Sequence, residues 1–195
     1  PTHLLTNIKA QNLIALFEVH GYPRTRVLIK IPGTYAGILA CRALEAASPA
    51  IHTNATLIFG LVQAQACAQA RVAVISPFVG RVKDWWDARA TDPSSQPAPA
   101  HPHAHPGLAL LHTIRTAFDA HGHTTRTAVM AAGFRAADEV VRAAAARPDV
   151  VTLQVALLRE LTARGAGSDF VKDGGADADA TASAGAEPRY IVRVF

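Results

Sequence analysis

Five short β-rich apolar runs, each separated from the next by a stretch of helical length, constrain this chain more than any other feature. The runs fall at residues 27–31, 54–59, 72–75, 127–131 and 150–155. Helix-like segments lie between and around them, at 3–20, 35–47, 62–70, 81–90, 108–120, 136–146 and 156–163. Strands that alternate with helices are the mark of βα units and a parallel sheet. Strands buried on both faces suit a doubly wound sheet or a barrel alike, and periodicity does not choose between the two. In the first helix Leu4, Leu5, Ile8, Leu13, Leu16 and Phe17 are expected to form the apolar stripe, and Gly21 ends it. Thr34, after the turn Pro32-Gly33, is placed to cap the helix that follows.

The chain is long enough for one domain, not two: 195 residues, half of them hydrophobic and 17% charged, supply a packed core. Its excess of basic groups, +4 with a pI near 9.5, is diffuse. A nucleic-acid footprint requires clustering, so nucleic acid is not an expected partner. Cys41 and Cys67, both in helix-like segments, make no disulfide framework, and a reducing cytoplasmic compartment is expected. No apolar run reaches the ~18–20 residues that cross a bilayer, and no membrane partner is expected. The first residues lack an initiator Met and a signal-peptide pattern and open directly into helix-like sequence, as expected of a chain shortened at its N-terminus. Residues 1–164 read as the β/α domain, with a Pro-, Ser- and His-rich loop at 91–107. Residues 165–189 read as a flexible Gly/Ala/Asp-rich segment, and 190–195 as a short strand-like end.

Lys30 is the first chemical anomaly. It sits inside an apolar run, where an ammonium is costly unless it is paired or loses its proton. A neutral lysine amine attacks carbonyls to form a Schiff base. Against this stands a strand-end lysine that simply reaches solvent. Alternation along a strand puts Asn54 and Thr56 on one face. Ser76 leaves the third run just before Arg81 at a helix start, an arrangement that suits a phosphate. Groups collected from the ends of successive strands are how a barrel builds a site at its C-terminal face. His101, His103 and His105 alternate with Pro and Ala and read as a solvated loop, not a metal site.

The segments RVLIKIPGTYAGILACRALE and IHTNATLIFGLVQAQACAQARVAVISPFVGRVKDWW closely resemble the transaldolase family. TAVMAAGFRAADEV and VVTLQVALLREL continue the resemblance in the same order, so that it covers roughly residues 26–161. It implies an α/β fold, an incomplete TIM-type (β/α) barrel whose five strands match the fourth to eighth of the family barrel. It implies that Lys30 forms an imine with a ketose phosphate, and that Thr56 helps hold a catalytic water. Asn54 and Ser76 then bind the dihydroxyacetone hydroxyls, and Arg81 and Arg135 bind the phosphate. The reaction implied moves a dihydroxyacetone unit between sugar phosphates, from sedoheptulose 7-phosphate to glyceraldehyde 3-phosphate, in the pentose phosphate pathway. It needs no metal or organic cofactor, and homodimers are usual in the family.

Three departures accompany the resemblance. The family carries an Asp, an Asn and a Glu on its first three barrel strands, and this chain is expected to begin after them. A catalytically dead fragment or remnant is therefore the alternative expectation. Where the family commonly has Ser-Phe-Arg, this chain has Gly133-Phe134-Arg135. The 91–107 loop also differs from what the resemblance leads one to expect.

Overall fold

A computed structural model describes residues 2–91 and 105–164. The expected segments 165–189 and 190–195, and His101 and His103, lie outside the described residues. Five strands form one parallel sheet: β1 (Ile29–Pro32), β2 (Thr53–Ile58), β3 (Val74–Pro77), β4 (Ala128–Ala131) and β5 (Val150–Val151). The helices are α1 (Thr2–Val19), α2 (Tyr35–Glu45), α3 (Leu61–Gln69), α4 (Val79–Thr91), α5 (Pro106–Ala120), α6 (Ala137–Ala143) and α7 (Val155–Ala163).

Strand order settles what periodicity left open. The sheet runs β1-β2-β3-β4-β5 with every neighbour parallel, so the order never reverses. A doubly wound sheet reverses at a switch point and carries helices on both faces. Here Ile29, Ile31, Ala55, Ile75, Val129 and Ala131 share one large core with residues of every helix in the β1-to-β5 crossovers except α4's exposed side. The other face has only a small patch, Val74 and Met130 with Leu28 and Ala128 against them. One helical layer on a singly wound parallel sheet is the pattern of a TIM-type barrel, here a part of one.

Small residues bring the helices close. Ala40, Cys41 and Leu44 of α2 and Ala64 and Cys67 of α3 are fully or almost fully buried against the sheet. Thr34 caps α2 as expected, its side-chain oxygen accepting from the Gly37 N–H at 3.1 Å. Burial pushes the thiols of Cys41 and Cys67 up to about 11 and about 12. At pH 8 roughly one Cys41 in 10³ is then thiolate. Both thiols are therefore expected to resist Ellman's reagent in the native protein and to titrate fully in guanidinium. A fast-reacting thiol under native conditions contradicts this packing.

Three expectations need correction. The buried face of α1 is Ala10 and Ile14, with Phe17 partly covered, whereas Leu4, Leu5, Ile8, Leu13 and Leu16 are exposed. The fifth strand is only Val150–Val151, because Gln154 already occupies the N-cap position of α7 and leaves just Thr152 and Leu153 between them. The 91–107 loop is shorter at both ends: Thr91 still belongs to α4, and Pro106 opens α5.

Candidate active site

In parallel strands, residues in register point to the same side of the sheet, and residues two apart share a face. Lys30 is in register with Asn54, and Thr56 with Ser76. Lys30, Asn54, Thr56 and Ser76 therefore stand together on the face opposite the helical layer. Ser76 Oγ donates to Asn54 Oδ1 at 2.7 Å, and both residues are buried. That bond fixes the Asn54 amide with its NH₂ group free to donate elsewhere on this face. Thr56 is buried too, and its hydroxyl has no hydrogen-bond partner. A buried unpaired hydroxyl costs stability, and such groups commonly mark where a ligand or water is bound.

The backbone around Thr56 is strained. The β2–β3 register slips between Thr56 and Ile58, and Leu57 at the bulge has φ 61°. A left-handed leucine is unfavourable and persists only where its surroundings impose it. Bulges that re-aim a side chain are frequent beside active sites.

Lys30 departs from the sequence reading. It is exposed, on β1 at the edge of the described sheet, whereas Asn54, Thr56 and Ser76 on the same face are buried. Its ammonium lies 5.9 Å from the centroid of the Phe78 ring, which meets Phe59 edge-on at 6.1 Å. Ile29 and Ile31 on either side of it point into the core and hold the strand.

The two arginines follow the strands on which the site is built. Arg81 lies in the first turn of α4, directly after β3, and Arg135 in the loop between β4 and α6. Asp84 of α4 accepts from Arg135 at 2.7 Å. Its carboxyl is held below the usual range chiefly by this bond, and also by the charges of Arg135 and Arg81. A cavity of about 780 Å³ beside them is lined by Phe59, Arg81, Val82, Asp84, Trp85 and Trp86. Asp84 carries no signal in the sequence, because its partner is 51 residues away.

His105, whose spacing with Pro and Ala suggests a solvated loop, does not belong to one. It is 4% exposed, caps α5 and bonds to Glu139. The overlooked signal was Pro106-Gly107: proline favours the first helical position, which makes the residue before it the cap. Among the described residues, no group of three or more His, Cys, Asp or Glu comes together to hold a metal. Among them also, no helix is long and apolar enough to cross a membrane.

Residues 5–187 match the family model described as Transaldolase/Fructose-6-phosphate aldolase. The chain belongs to this family. It is 42% identical over 153 residues to a transaldolase of Saccharomyces cerevisiae, covering 78% of this chain and 42% of that protein. Over 155 residues it is 42% identical to a transaldolase of Gloeobacter violaceus, covering 80% of this chain and 37% of the relative. A transaldolase of Glaesserella parasuis is 42% identical over 156 residues, 80% of this chain and 46% of its own length. The chain thus spans less than half the length of these transaldolases. Within the family match, the lysine, the amide-hydroxyl pair and the unpartnered threonine share one sheet face, and both arginines follow its strands.

Proposed function

We propose that this chain carries the Schiff-base and phosphate-binding part of a transaldolase site. The reading rests above all on the register that sets Lys30 beside Asn54 and Thr56 beside Ser76 on the face free of helices.

In this reading the neutral Lys30 amine attacks the ketone carbon of a ketose phosphate, and the carbinolamine loses water to give an iminium ion. The carbon–carbon bond beyond the adjacent carbinol breaks, and its electron pair moves toward the iminium nitrogen. The carbinol on the far side of the broken bond loses its hydroxyl proton and leaves as the aldehyde of an aldose phosphate, while the adjacent carbinol stays in a dihydroxyacetone enamine on Lys30. The enamine then attacks the aldehyde of a second aldose phosphate, and hydrolysis frees the lysine. Asn54 and Ser76 hold the hydroxyls of the three-carbon unit, Thr56 directs its hydroxyl to a water, and Arg81 and Arg135 take the phosphate. Sedoheptulose 7-phosphate and glyceraldehyde 3-phosphate are the proposed pair, and the cytoplasm and a homodimer are the proposed setting.

The second reading, a chain without turnover, also has an observation in its favour. None of the five strands carries an Asp or Glu. The proton transfers need a general acid–base, whose loss costs about 10²–10⁴-fold in rate.

Borohydride reduction in the presence of fructose 6-phosphate, followed by peptide mass spectrometry, tests the proposal. A dihydroxyacetone-derived adduct on the Lys30 peptide is the expected result. Folded protein without adduct overturns the proposal for this chain. Absence of adduct leaves the second reading, whereas an adduct without transfer to an added aldose phosphate shows cleavage without the second half-reaction.

A further inference from the structure

We infer that the buried His105–Glu139 pair is the positioning device for Arg135, fixing the backbone from which its guanidinium reaches a phosphate. The inference rests on the reading of Arg135 as a phosphate ligand.

Glu139 is the third residue of α6, where a glutamate can reach back over the helix start. Its Oε2 accepts from the Arg135 N–H at 2.7 Å, and the capping residue, Ala136, has no side chain that could share the task. Its Oε1 receives His105 Nε2 at 3.0 Å. The other ring nitrogen of His105, Nδ1, accepts from the Leu108 N–H at 3.2 Å, and this places the ring proton on Nε2. One carboxylate thus ties the start of α5 to the loop that carries Arg135. Burial opposes its charge, and the bonds from Arg135 and His105 more than offset this, holding its carboxyl below the usual range.

The surrounding backbone makes the tie effective. A Cβ on Gly107 would stand 1.9 Å from the Val79 carbonyl oxygen, and one on Gly80 would stand 2.2 Å from that of Gly133. The starts of α4 and α5 and the β4–α6 loop are therefore in direct backbone contact. Arg81 and Arg135 project from this single corner, and the Arg135 guanidinium is steered further by Asp84. Gly133, at φ 76°, gives the loop its turn. A helix-start carboxylate needed only as a cap works in solvent. This one is buried with a histidine from another helix, at 34 residues' separation, and grips the phosphate arginine itself.

Titration calorimetry of the full chain with inorganic phosphate tests the inference, using His105→Asn, Glu139→Gln and Arg135→Ala. Asparagine still caps α5 but does not reach Glu139, so His105→Asn separates the cap from the tie. Wild type is expected to bind and Arg135→Ala to lose binding. His105→Asn and Glu139→Gln should each weaken binding about 10–100-fold, the range for removing an outer partner of a ligand. Borohydride capture of dihydroxyacetone, which has no phosphate, should be unchanged in His105→Asn; a general structural defect would lower both. Wild-type phosphate affinity in folded His105→Asn, with binding lost in Arg135→Ala, overturns the positioning role alone. Equal binding by wild type and Arg135→Ala, or none by either, overturns the phosphate reading and this inference with it. If Glu139→Gln does not fold, His105→Asn decides.

Discussion

Lys30→Met is expected to abolish borohydride-trapped adduct and to lower any transfer rate by more than about 10³-fold, with stability changed by less than about 0.5 kcal/mol. Methionine matches lysine in length and brings no amine, so the imine has no nitrogen to form on. The fold is expected to tolerate the change because Lys30 is exposed on the open face, while its strand neighbours Ile29 and Ile31 occupy the core. The ring beneath the ammonium is Phe78, against which a thioether packs favourably. Lys30→Arg is the informative companion. It keeps the charge, and with it any purely electrostatic hold on a sugar phosphate, yet guanidinium does not form the imine. Phosphate affinity retained in Lys30→Arg with no adduct assigns the covalent step to Lys30. Adduct surviving in Lys30→Met at another lysine, of which Lys9 and Lys83 are candidates, would remove Lys30 from the mechanism.

The periodicity of short apolar runs and longer amphipathic ones was enough to read five strands and the helices between them, because that pattern reports burial directly. It did not choose between a doubly wound sheet and a barrel, which depends on which strands become neighbours. Helix α1 misled for a physical reason. Leu4, Leu5, Ile8, Leu13, Ile14, Leu16 and Phe17 surround the helix almost completely, so no stripe in the sequence marks the face that Ala10 and Ile14 bury. The site was legible where it follows the strand rule: Asn54 and Thr56 share a face by alternation alone. The supports were not legible, since Asp84, His105 and Glu139 find their partners across tens of residues. Lys30 was read as costly in an apolar strand. The relevant quantity is its place in the sheet: β1 is an edge strand of the described sheet, and there Lys30 is exposed.

Glu45→Ala is expected to destabilise the fold by about 3–5 kcal/mol. Glu45 ends α2, and its side chain is 7% exposed. Its Oε1 accepts from the Thr53 N–H at 2.7 Å, the Thr53 hydroxyl at 2.5 Å and the Ala73 N–H at 3.0 Å. Its Oε2 meets His52 Nδ1 at 3.2 Å. One carboxylate therefore holds the first residue of β2 and the residue leading into β3, at the end of the sheet away from the arginines. Alanine removes the shared acceptor of the Thr53 and Ala73 N–H groups and of the Thr53 hydroxyl, each loss worth about 1–3 kcal/mol. Glu45→Gln keeps one carbonyl oxygen and should recover part of the loss. Thr53→Val keeps both backbone bonds to Glu45, removes the hydroxyl bonds to Glu45 and Cys41, and should cost about 1 kcal/mol. Guanidinium unfolding measures all three: the midpoint should fall in the order Thr53→Val, Glu45→Gln, Glu45→Ala at constant slope. A loss below about 1 kcal/mol for Glu45→Ala would show that the strands are held by packing alone. The consequence extends to the site, because Thr53 precedes Asn54 in the same strand. With Thr53 released, the registers of Lys30 with Asn54 and Thr56 with Ser76 lose their fixed end. Cys41, whose thiol shares a hydrogen bond with Thr53, reports the opening: it should become reactive to Ellman's reagent in Glu45→Ala well below the global unfolding midpoint.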